Sequence, residues 1–154
     1  MDERRGHHEL LKQICNIRQL QQGRDEREAV QKRQAVICAD DIVRTKEQIV
    51  DQGIDQRERQ LERGPFQSHS LLQWQFWLSH SLDEVRDAQD ALKEAEDEEA
   101  DANNQLAKSI GYHKSISELI IQSHRNINKL QDRYAERKYE DLTSYRHWQN
   151  EDNA

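Results

Sequence analysis

The chain has one proline and five glycines in 154 residues. So few breakers exclude a loop-rich fold, and Gly6, Gly23, Gly53, Gly64 and Gly111 lie too far apart to build a phosphate-cradling loop of the GxxxxGKS/T kind. There are only two cysteines, Cys15 and Cys38, with no CxxC partner. They suit neither a disulfide framework nor a zinc site and fit a reduced, cytosolic compartment. Hydrophobic residues make up 34% of the chain and aromatics 6%, well below the roughly 45–50% apolar content of ordinary globular domains. A conventional core is not expected. No apolar run approaches the roughly 20 residues of a membrane span, and the polar start MDERRGHHE does not read as a signal peptide.

Charge is abundant. Asp, Glu, Lys and Arg supply 34% of the residues for a net charge of −7, and mean hydropathy is −1.18. The signs are mixed, so neither a disordered single-sign tail nor a nucleic-acid-binding basic face is indicated. Mixed charge, few breakers and scattered aliphatics predict long helices that each bury a narrow stripe. In the first half Leu10, Ile14, Ile17, Ala35, Cys38, Ile42, Ile49 and Leu61 recur at helical steps, predicting a helix over 7–63 with this stripe inward. In the second half, counting by sevens from Leu78 to Trp148, eight of eleven positions are apolar or aromatic. The companions three residues on include Ser81, Ala88, Ala95, Ala102, Ser109 and Ser123. Large residues at one seam position and small ones at the other describe a coiled-coil helix, predicted here over 70–149.

Gly64-Pro65 supplies a turn over 64–69. A short turn between long helices makes them antiparallel neighbours, with residue i beside roughly 131 − i by reflection about the break. The fold class expected is all-α: a single domain over 1–154, an elongated antiparallel two-helix coiled-coil hairpin with a longer second helix. At about 1.5 Å per residue the arms would reach about 85 Å and about 120 Å, so the second should overrun the first from about residue 125.

Apolar surface is expected at both ends. SLLQWQFWLSH (70–80) holds two of the three tryptophans and one of the two phenylalanines. Leu71, Trp74, Leu78 and Leu82 share one face, whereas Phe76 and Trp77 are expected to point away from it, as an exposed partner site would. SLDE (81–84) matches a capping box, leaving open a separate short helix over 66–80. The overrun carries Ile127, Leu130, Tyr134, Tyr139, Leu142, Tyr145 and Trp148. The ten acids of 83–101 read as a solvated helix face. His7-His8 beside Glu9 has no metal-ligand spacing, and His113 falls on the seam. A two-helix hairpin offers no water-poor pocket to shift carboxylate pKa values. No enzymatic activity, metal or cofactor is expected.

These features resemble the stalk proteins of type III secretion, the FliJ, YscO and HrpO family, with the HrpO-like branch the nearest in character. FliJ-like chains resume after the turn with a W-x-x-Y-x-x-F-I type spacing, and Leu71, Trp74, Trp77 and Leu78 stand at those positions. The tail RKYEDLTSYRHWQNEDNA is similar to the polar, aromatic-dotted ends of YscO-like chains. The resemblance implies an antiparallel hairpin in the cytoplasm, peripheral at the base of the secretion apparatus. Its terminal end (Ile127, Leu130, Tyr134, Tyr139, Leu142, Tyr145) would enter the hexameric secretion ATPase and promote its assembly and activity. Its tip (Leu71, Trp74, Phe76, Trp77, Ser81) would reach the cytoplasmic domain of the export-gate membrane protein, and export chaperones are further partners. Ser81 stands where the family has a leucine. The alternatives are a type III secretion chaperone and a self-associating structural coiled coil.

Overall fold

The structure is a computed structural model that describes the backbone of residues 2–65 and 67–151 and the side chains of residues 4–65 and 67–146. It is an antiparallel two-helix hairpin. Helix α1 spans Asp2–Glu62 and the longer α2 spans Ser68–Glu151, and no strand occurs among the described residues. Against the expected 7–63 and 70–149, α1 starts five residues earlier and ends one sooner, and α2 extends two residues at each end. The turn follows from its residues. The Arg63 amide donates to the Gln60 carbonyl at 3.1 Å, tightening the last turn of α1. Gly64 then takes φ +148°, a conformation that side chains disfavour, and Pro65 cannot resume the helix. Ser81 is buried inside α2, so SLDE starts no new helix and 66–80 is no separate element.

The hairpin divides into two compact units. The turn unit is Arg24–Ala107; the terminal unit combines Met1–Gly23 with Lys108–Ala154. In the turn unit Lys32 bonds Glu98, Lys46 bonds Glu84 and Arg57 lies over Trp74. In the terminal unit His8 contacts Ser123 and Arg18 lies over Tyr112. Each of these partners falls within one residue of 131 − i.

Burial follows a seven-residue repeat on both helices. On α2 it takes the seam expected: Leu78, Val85 and Leu92 with Ser81, Ala88 and Ala95 in the turn unit, and Ile120 and Ile127 with Ser109, Ser123 and Leu130 in the terminal unit, are buried or half-buried. Trp148, counted in that register, falls outside the described side chains. On α1 the expected stripe is wrong. Leu10, Ile17, Ile42 and Leu61 are more than half exposed, Ile14 and Ile49 are 41% and 46% exposed, and Ala35 and Cys38 face solvent. The inward positions run through Leu11, Cys15, Arg18 and Gln22 in one unit, and Ala29, Lys32, Val36, Val43, Lys46, Val50 and Arg57 in the other. The reason is amphipathic packing: Lys and Arg lay aliphatic stems in the seam while their charged ends reach a partner at its edge. No side chain among the described residues is fully buried.

Candidate functional site

Two groups of side chains were singled out by sequence, one in each unit. In the turn unit the group lies on the first turns of α2 and the last turns of α1. Trp74 occupies the seam, half-buried, with the Arg57 guanidinium 5.3 Å from its ring centroid. Arg57 is itself only 7% exposed, so the cation lies on the indole face away from bulk water, where such a contact is strongest. The Trp74 Nε1 is buried and makes no hydrogen bond among the described residues.

Trp77 corrects the expectation that it points away. Its ring lies over Gly53 of α1, where a Cβ would fall within 2.6 Å of Cζ3 and 2.8 Å of Cζ2. The missing side chain of Gly53 is therefore the space the indole fills, which accounts for a glycine in a helix interior where it costs about 1 kcal/mol. Ser81 is also withdrawn from any partner: at 6% exposure it is a small seam residue facing α1. What remains outward is Leu71 at 44%, Leu72 at 64% and Phe76 at 79%. The structure thus splits the tip group into two tryptophans held against α1 and an aliphatic and aromatic set that is free.

In the terminal unit Ile127 and Leu130 are half-buried and, with Arg4, Arg5 and Tyr134, line an open groove of about 240 Å³. Every described residue from Gln131 to Arg146 is exposed, including Tyr134, Tyr139, Leu142 and Tyr145.

The remaining candidates are quieter. The His8 and His124 rings lie 5.9 Å apart, with His8 Nδ1 3.3 Å from Ser123 Oγ. His113 is half-buried on the seam. Among the described residues no three His, Cys, Asp or Glu side chains are grouped to hold a metal ion, and no helix is long and apolar enough to cross a membrane. Cys15 and Cys38 are free thiols. Opposite the acidic segment of α2, Lys32 of α1 has a raised pKa: its hydrogen bond to Glu98, and then the charge of Glu98, hold it above the ordinary lysine value. Sequence reading missed Arg57 and Gly53. Arg57 was recoverable from the register, which sets it opposite Trp74; the use of Gly53 follows only from where Trp77 lies.

Comparison with family models, with curated proteins and with solved structures finds no match to this chain.

Proposed function

We propose that this chain is a cytoplasmic stalk component of a type III protein secretion system, which binds the hexameric secretion ATPase and links it to the export gate. The observation that carries the reading is the run of α2 past Leu130, where Tyr134, Tyr139, Leu142 and Tyr145 are all exposed. Large apolar and aromatic side chains gathered along one exposed stretch of helix commonly mark a partner surface. A second exposed set, Leu71 and Phe76, lies beside the turn, as a protein joining two partners requires. The resemblance to the FliJ, YscO and HrpO family supplies the identities: the ATPase at the α2 end, the gate protein at the turn, and export chaperones along the way. On this reading the chain carries no catalytic group. It acts by bridging, biasing the packing of ATPase subunits at one end and docking at the other.

The test is hydrolysis by the purified secretion ATPase, titrated with the full chain and with Tyr139→Asp and Leu142→Asp variants. Stimulation by the parent chain and its loss in both variants is the expected result. An ATPase that neither binds nor responds to the parent chain would sink the stalk assignment.

A further inference from the structure

The end of α2 contains a pattern with its own symmetry. In YAERKYEDLTSY (134–145), Tyr134, Lys138, Asp141 and Tyr145 follow one another at steps of four, three and four. At about 3.6 residues per turn these four side chains fall within about 60° of one another on the helix. They form one face, and that face is bare. Tyr134 is 69% and Tyr145 64% exposed; Lys138 and Asp141 are exposed as well. Neither charge forms an ion pair among the described residues, although they sit one turn apart.

Reversing the chain direction leaves the pattern unchanged apart from exchanging the lysine with the aspartate. That is the requirement for a two-fold contact, in which residue i meets j and j meets i. From this we infer that a second copy of this chain covers this face, its α2 end laid antiparallel on the first. Tyr134 then stacks on Tyr145 of the other copy and Lys138 pairs with its Asp141, each contact made twice. Leu142, 54% exposed at the edge of the face, lies across from the aliphatic stem of the second copy's Arg137. A parallel pairing would set Lys138 on Lys138 and Asp141 on Asp141, so charge selects the antiparallel arrangement.

The inference does not rest on the proposed function, but it bears on it. Tyr134 and Tyr145 would serve either the second copy or the ATPase, so self-pairing would withhold the free protein from its larger partner.

Sedimentation equilibrium of the full chain over a wide concentration range tests the pairing. The parent should show a monomer–dimer equilibrium. Lys138→Asp alone, or Asp141→Lys alone, places like charges together twice and should weaken the dimer about tenfold. The double variant Lys138→Asp/Asp141→Lys rebuilds both pairs in reverse and should recover the parent affinity. All four positions are exposed in the single chain, so helix content and melting of the monomer should not change. A chain that stays monomeric to about 1 mM, or a dimer indifferent to the single reversals, overturns the inference.

Discussion

The turn unit and the terminal unit use the same two helices and the same seven-residue repeat, yet they are built differently. Among the described residues, six apolar side chains are buried: Ala29, Val43, Val50, Val85 and Ala102 in the turn unit and Leu11 in the terminal one. The ion pairs Lys32–Glu98 and Lys46–Glu84 cross between the helices within the turn unit. The terminal unit relies on softer contacts: His8 with Ser123, a 3.9 Å approach of Cys15 Sγ to Ser117 Oγ, and Arg18 at 4.9 Å over Tyr112. Charge separates them too, with 11 Lys and Arg against 20 Asp and Glu in residues 24–107, and 12 against 10 in the remainder. Meanwhile Leu10, Ile17, Ile121 and the tyrosines of the α2 end are turned outward in the terminal unit. Both units turn large apolar side chains outward, Ile42, Leu61 and Phe76 among them in the turn unit, but the turn unit also buries more of them in its own seam. Cohesion should therefore reside mainly in the turn unit.

The sharpest way to break that contrast is to place a carboxylate in each seam. Val43 is 6% exposed, and Val43→Asp buries a charge with no partner in its register. A loss of about 3 kcal/mol or more is expected, a large part of the stability of a small domain. Leu11→Asp, at 8% exposure, should cost under about 2 kcal/mol, because a loosely held unit can open and return the carboxylate to water. Urea unfolding followed by helical circular dichroism measures both. Equal losses would erase the distinction between the units.

A pair of glycines probes it next, with opposite signs. Gly53→Ala gains about 1 kcal/mol of helix propensity but drives a methyl group into the Trp77 ring, and such overpacking costs about 1–3 kcal/mol. A net loss of up to about 2 kcal/mol is expected, with tryptophan emission shifted to the red as the indole is displaced. Gly23, in the terminal unit, has nothing within 4 Å of an added Cβ. There Gly23→Ala should stabilise by about 1 kcal/mol or less. A gain at both sites would mean that Trp77 moves aside without cost and that Gly53 is not its seat.

How much of this could be read in advance depends on what filled the seam. On α2 the alternation of Leu, Val and Ile with Ala and Ser gave a register by inspection, and burial follows it from Trp74 through Leu130. The antiparallel pairing followed from one Gly-Pro break. On α1 inspection failed, because apolar residues outside the seam (Leu10, Ile14, Ile17, Ile42, Ile49) are larger than most of those inside it. The true positions hold Arg18, Gln22, Lys32, Lys46 and Arg57, which a hydrophobic count scores as surface. Their stems are apolar, but that matters only once a partner helix lies alongside. The tip group was legible as a concentration of aromatics, not as a division into held and free members, since that division depends on Gly53 lying across from Trp77. Likewise Ser81 looked like the first residue of a helix and is instead one of the small residues that let the helices approach.

The smallest effect concerns a charge pair in the turn unit. Lys32 Nζ lies 2.6 Å from Glu98 Oε2, and the bond raises the lysine pKa above its ordinary value of 10.5. A raised folded-state pKa means that the stabilisation is complete below the unfolded value and is lost as pH climbs through the folded one. The pair is about one-third and one-half exposed on its two sides, so solvent and salt screen it. Lys32→Met keeps the stem in the seam and removes only the ammonium. The parent should be slightly the more stable from neutral pH up to the ordinary lysine pKa, and the gap should close in stronger alkali and shrink with added salt. Thermal melts of both chains across that alkaline window provide the measurement. A gap that ignores both alkali and salt would assign the contribution of Lys32 to its stem, and the turn unit would then owe its cohesion to packing alone.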